Sequence, residues 1–157
     1  MTGTSSASSS ASRKPPQRTV MRLVLLDTNS LFLPVRVRFP LEAEVARLRP
    51  GATLGVPSSV RGELDRLVDR HAPLATAARS LEEKFPEFPT LGRGDEAVLR
   101  AARRYHAWVV TADRKLRDRL RAVGVTVLAP RDRHRLERFS PREPPARPTP
   151  VGPSRHG

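Results

Sequence analysis

Apolar positions along the chain fall into short continuous runs, separated by segments in which they recur every three or four residues. Arg22-Leu-Val-Leu-Leu-Asp27 is nearly all apolar and ends in an acid, the pattern of a parallel strand buried on both faces. Thr53-Leu-Gly-Val56, Ala107-Trp-Val-Val-Thr111 and Val125-Thr-Val-Leu128 repeat it. Between them, Val60, Leu64, Leu67 and Val68 follow i, i+4, i+7, i+8 spacing, which predicts a helix over 58–70 with Pro57 and two serines as start signals. Leu41, Val45 and Leu48 predict an earlier helix that ends at Pro50-Gly51, and 75–85 and 95–106 read as two more. Leu116, Leu120 and Val123 place a last helix from about Arg114, with Asp113 as its cap and Gly124 as its stop. Strands alternating with helices predict an α/β fold built on a central parallel sheet.

The two ends break this pattern. Residues 2–12 are small, polar and uncharged, and Arg-Lys-Pro-Pro-Gln-Arg follows them, so 1–20 is expected to be a disordered Ser/Ala-rich extension. The order of charged and apolar residues is not that of a signal peptide. Met21 directly precedes the first strand, which makes it a candidate start of translation. Six prolines between 141 and 157 forbid a regular helix or central strand, and 140–157 is expected to be a disordered tail. The folded domain is therefore expected over 21–139.

Composition narrows the class. No apolar run approaches the roughly 20 residues of a membrane-spanning helix, so no membrane role is expected. The chain has no cysteine, which excludes disulfides, thiolate metal sites and a thiol nucleophile. That and the lack of an export signal suggest the cytoplasm. The formal net charge of +13 points toward a polyanion such as nucleic acid, although only three of the 29 basic residues are lysine and so strong an arginine bias also suits a GC-rich genome. The charge divides as +3 on residues 1–21, +2 on 139–157 and +8 on 22–138. Most of it belongs to the folded part.

Ligand sites of open parallel sheets form outside the carboxyl ends of the strands. Asp27 stands at the end of the first strand and Asp113 two residues beyond Thr111, so both face that edge. Singly, Asp113 also reads as a helix cap and Asp27 as a turn residue. Glu63 lies roughly 40° from Leu67 on the helical wheel, at the border of the apolar stripe, and Asp95 opens a helix, where an acid is favoured electrostatically. Acids gathered without a cation repel one another. Their clustering would imply a bound metal, a basic partner or protonation, and hard oxygen donors select Mg²⁺ or Mn²⁺. A positive domain with an acidic pocket has the electrostatic layout of a nuclease.

Asp27-Thr-Asn-Ser, Glu63 within Val60-Arg-Gly-Glu-Leu64, Asp95 within Gly92-Arg-Gly-Asp-Glu-Ala97, and Thr111-Ala-Asp-Arg-Lys-Leu116 together resemble the PIN-domain ribonucleases, over about residues 22–138. The resemblance implies a three-layer α/β/α sandwich with a central parallel sheet and metal-dependent endonucleolytic cleavage of RNA. By position, Asp27, Glu63, Asp95 and Asp113 would be the catalytic, metal-binding acids, holding Mg²⁺ or Mn²⁺ and a metal-activated water. Asn29 would orient Asp27 by hydrogen bonding, and Thr111 would support the pocket beside Asp113. Leu31–Pro40 and Gly124–Arg131 look more like the ribosomal-RNA-processing branch than the toxin branch. The resemblance admits a homodimer and, on the toxin side, an antitoxin-like protein partner.

Arg114, Lys115 and Arg117 crowd the helix after Asp113, where they could hold RNA phosphates without reading sequence; a solvated basic face is the plainer alternative. Trp108 and Tyr105 suit core packing better than base stacking, and His71, His106 and His134 have no metal-ligand spacing. Competing functions are a ribonuclease toxin, a catalytically inactive RNA-binding adaptor, and a phosphatase or receiver-type domain. The receiver pattern needs adjacent acids after the first strand and a lysine after a late one, and neither is present.

Overall fold

The computed structural model describes residues 22–142. Of the segments expected to be disordered, 1–20 and residues 143–157 of the 140–157 tail lie outside the described residues, as does Met21; within that tail, the Ser140 carbonyl accepts from Arg121 Nε and the Arg142 N–H donates to the Arg121 carbonyl. Six strands form one sheet: β1 (Leu23–Leu26), β2 (Thr53–Pro57), β3 (Glu87–Phe88), β4 (Trp108–Val110), β5 (Val127–Pro130) and β6 (Leu136–Phe139). Six helices accompany them among the described residues: α1 (Thr28–Val37), α2 (Leu41–Leu48), α3 (Ser58–Asp69), α4 (Ala75–Glu82), α5 (Gly94–Arg104) and α6 (Arg114–Ala122).

The strand order is β3-β2-β1-β4-β5-β6. All neighbours are parallel except β6, which runs antiparallel to β5. Helices cover both faces, so the architecture is the three-layer α/β/α sandwich. All four residues of β1 are buried, as the unbroken apolar run requires of a central strand. Leu25, Val109 and Leu128 on three neighbouring strands are fully inaccessible, with Leu64, Leu116 and Leu120 from α3 and α6 packed in the same core. The chain leaves β1 toward β2 on one side and later enters β4 on the other. That reversal opens a crevice at the carboxyl ends of β1 and β4.

Three elements depart from the sequence pattern. Helix α1 occupies what reads as a turn after Asp27, and it carries Pro34 in its interior. β3 is only two residues long, and β6 closes the sheet with the sole antiparallel pair among the described residues. The predicted helices otherwise form, each ending within three residues of its expected last turn. At Gly124 the φ of +92° is a conformation in which glycine has no steric penalty, and α6 stops just before it.

Candidate functional site

The crevice is built by four segments of the chain. Asp27 ends β1 and caps α1: its Oδ1 accepts from the Ser30 backbone N–H at 2.8 Å. Asp113 follows β4 and caps α6, its Oδ1 accepting from the backbone N–H groups of Lys115 and Leu116 at 2.9 and 3.1 Å. Asp95 lies in the first turn of α5, and Glu63 projects from α3 one turn beyond Ser59. All four acids line a single cavity of about 180 Å³, together with Thr28, Asn29 and Ser59. Among the described residues, no lysine or arginine lines it. The amino ends of α1 and α6 meet Asp27 and Asp113 directly, and the partial positive charge of a helix amino terminus offsets part of the repulsion between these carboxylates.

Thr111 links the first acid to the last. Its Oγ1 donates to Asp27 Oδ2 at 2.5 Å and accepts from the Asp113 backbone N–H at 3.0 Å. Thr28 plays the matching part for the third segment, its hydroxyl donating to Glu63 Oε1 at 2.7 Å. Asn29 lines the cavity without a hydrogen bond to Asp27 among the described residues. The residue that orients Asp27 from α1 is instead Ser30, whose hydroxyl also donates to the Asp27 carbonyl at 2.8 Å. The correction follows from the unexpected helix: with Asp27 as its cap, the third helical residue and not the second presents its N–H to the carboxylate.

Burial pushes the Asp27 carboxyl up to about 6, against the hydrogen bonds from Thr111 and Ser30 that lower it, and the Asp113 charge adds to the rise. Asp95 is raised for the same first reason, with Asp113 and Glu63 repelling and Arg119 opposing. These carboxylates therefore gain from any cation that enters. The Ser59 hydroxyl oxygen is buried and has no hydrogen-bond partner among the described residues, although it lines the same cavity. A donor set of hard carboxylate oxygens with one unpaired hydroxyl fits a hydrated Mg²⁺ or Mn²⁺, which is held by one or two carboxylates and keeps several waters. Among the described residues no three acidic or histidine side chains converge tightly enough to form a ready-made metal cage.

The basic residues after Asp113 divide. Arg114 and Lys115 are exposed on the first turn of α6. Arg117 does not join them: its guanidinium stacks over the Phe139 ring at 4.4 Å, drawn toward β6 by its position on the helix. Arg119 pairs with Glu96, and neither lines the cavity. Trp108 is half-buried under the Arg49 guanidinium, 4.2 Å from the ring centroid, and Tyr105 packs edge-on against Phe88 while its hydroxyl donates to the Pro89 carbonyl. Sequence reasoning missed Thr28, Ser30 and Ser59. The only available signals were adjacency to Asp27 for the first two, and, for Ser59, the four-residue spacing from Glu63 that puts both on one helix face.

A family model described as "PIN like domain" matches residues 24–133. No curated protein sequence matches the chain. Among solved structures, the PIN domain endonuclease Utp24 superposes with a TM-score of 0.61 at 22% sequence identity, covering 75% of this chain and 92% of that one. At that identity the likeness is one of fold.

Proposed function

The chain belongs to the PIN-like domain family, and from that premise we propose that it is an Mg²⁺- or Mn²⁺-dependent endoribonuclease. The observation that carries the proposal is the meeting of Asp27, Glu63, Asp95 and Asp113, from four separate segments, around one cavity whose lining among the described residues holds no basic side chain. A divalent cation bound there supplies Lewis acidity, which makes water a nucleophile near neutral pH and offsets charge on the phosphate. The chain's own residues do the rest. Asp27 is fixed by Ser30 and Thr111, and Asp113 by the amino end of α6. Glu63 is held toward the cavity by Thr28. Arg114 and Lys115 stand exposed beside Asp113, where they would hold phosphates flanking the scissile bond.

RNA is the proposed substrate, in keeping with the +8 carried by residues 22–138 and with the family. The stretches Leu31–Pro40 and Gly124–Arg131 favour a processing role over a toxin role. The test is incubation of the purified protein with total RNA and Mn²⁺ or Mg²⁺, beside Asp27→Asn and Asp113→Asn variants. Cleavage that survives both substitutions, or EDTA, overturns the metal mechanism. Binding without cleavage converts the protein into an RNA-binding adaptor.

A further inference from the structure

A second cleft, of about 270 Å³, opens beside the acidic cavity and shares Thr28, Asn29 and Glu63 with it. Its other walls are Phe32 and Arg36 of α1, Leu67 of α3, and Leu74 in the α3–α4 connection. Thr28, Phe32 and Arg36 are spaced i, i+4, i+8, so α1 presents them along one face leading out of the acidic cavity. The distance covered is about 12 Å of helix. No carboxylate pairs with Arg36 among the described residues. Its guanidinium lies over the Phe32 ring, 4.9 Å from the centroid. Phe32 is itself buried, so the ring serves as a support and the planar cation is the face offered to a ligand. Opposite it, Leu74 is 45% exposed and has φ +64°, a conformation that disfavours L side chains.

We propose that this cleft is a subsite for a nucleotide flanking the scissile phosphate of single-stranded RNA, with Arg36 as its phosphate-binding and base-stacking residue. The proposal rests on the nuclease reading above. A strand whose scissile phosphate enters the acidic cavity must lead its next nucleotide away from Asp27, Asp95 and Asp113, and the α1 face offers a route that passes Glu63 at the shared edge and ends in a cation without a carboxylate partner among the described residues. Arg36 can meet a base with its guanidinium plane or a phosphate with its N–H groups. Leu67 and Leu74 furnish an apolar wall for a base of any identity, and Thr28 and Asn29 furnish polar contacts at the junction. The subsite is therefore tolerant of sequence and sensitive to salt.

The experiment measures fluorescence anisotropy of a fluorescein-labelled eight-nucleotide oligouridylate in Mn²⁺, with all proteins carrying Asp113→Asn to suppress cleavage. Arg36→Ala is expected to weaken binding about tenfold and to lower the slope of log K against log salt by about 0.7, as loss of one phosphate contact on a single strand requires. Arg103→Ala, exposed beside the separate cleft around Trp108 and His106, controls for loss of generic charge. Leu74→Asn, in which asparagine tolerates the left-handed backbone without adding charge, is expected to weaken the base-bearing oligomer but not an abasic one, and melting curves verify that each variant folds. Equal effects of Arg36→Ala and Arg103→Ala, or no effect of Arg36→Ala, overturn the subsite while leaving the nuclease reading intact. Arg36-dependent binding by a protein whose parent does not cleave RNA supports the subsite and overturns the nuclease reading. Absence of binding by every protein overturns the subsite, and the nuclease reading falls with it only where the parent also leaves total RNA uncleaved.

Discussion

The Thr111 hydroxyl donates a 2.5 Å hydrogen bond to Asp27 Oδ2 across 84 residues of sequence. Because the same oxygen accepts from the Asp113 N–H, one buried side chain positions two acids from different strands. Thr111→Val keeps the shape and removes both bonds. It is expected to cost about 1–3 kcal/mol of stability through the unsatisfied groups, and to lower cleavage on the order of 10–100-fold as a lost supporting contact. The bond lowers the Asp27 pKa, so its removal moves the acid limb of the pH–rate profile to higher pH. Thr111→Ser restores the limb. An unmoved profile in Thr111→Val would show that the hydroxyl only fills space.

Asp27 itself sets a pH dependence of stability. Its pKa rises from 3.8 to about 6, chiefly by burial, so the folded chain holds a proton that the unfolded chain has released between those values. The sign follows: the contribution is fully present below about pH 4 and is lost as pH rises through about 6, a difference of roughly 3 kcal/mol for two pKa units. Asp27→Asn removes the titration and retains a cap acceptor. Urea unfolding in EDTA is expected to find the variant more stable than its parent at neutral pH, by on the order of 2–3 kcal/mol, with the two converging in acid. Parallel curves across the whole range would contradict the burial of an ionised Asp27.

The proposed cation site reverses that penalty. A cation at a hundred times its dissociation constant adds about 2.7 kcal/mol to folding. Mn²⁺ is therefore expected to raise the melting temperature at neutral pH, and to do so less as pH falls through about 6 and protons compete for Asp27. Calorimetry of the parent and of the Asp27→Asn, Asp113→Asn double variant checks this. Equal stabilisation of both proteins would locate the metal elsewhere.

What was legible in the sequence was whatever is local. The run Leu23–Leu26 declares its burial by composition, and Asp113 declares its cap by standing between a strand and an apolar helical stripe. Helix α1 was hidden because Asp27-Thr-Asn reads as a turn and Pro34 forbids one interior hydrogen bond. β6 was hidden because Leu136 and Phe139, separated by Glu137 and Arg138, do not make a strand pattern, although its partner β5 lies just before it in the chain. The acids could be placed at one sheet edge from their positions relative to strands. The hydroxyls that hold them could not, since Thr28 and Thr111 act across 35 and 84 residues.

Gly55 illustrates the same non-local dependence. A Cβ there would overlap the ring of Phe88 and crowd the Leu23 side chain at 3.2 Å. Phe88 is the last residue of the two-residue strand β3, and it meets Tyr105 edge-on. Gly55→Ala is expected to destabilise the fold by about 1–3 kcal/mol, as overpacking does in a filled core. Gly55→Ala combined with Phe88→Leu should cost less than the sum of the two single substitutions, which chemical unfolding of the four proteins measures.

The edge strand β6 depends on a helix through Glu44. Glu44 is 8% exposed, and its Oε1 accepts from the Leu136 backbone N–H at 2.9 Å, while Arg47 donates both to that carboxylate and to the Leu136 carbonyl at 2.9 Å. The two side chains thus satisfy the backbone groups of Leu136 as a neighbouring strand would, 92 residues away for Glu44, and they cover an edge that would otherwise be open to pairing with another chain. Glu44→Ala leaves a buried N–H without an acceptor, at a cost of about 1–3 kcal/mol. Glu44→Gln retains the acceptor and loses only the charge on the Arg47 bond, so its cost is smaller. Amide exchange at Leu136 is expected to accelerate in Glu44→Ala well beyond the change at Val109, whose strand is central. Equal acceleration at both amides would mean that Glu44 supports the whole sheet and not its edge.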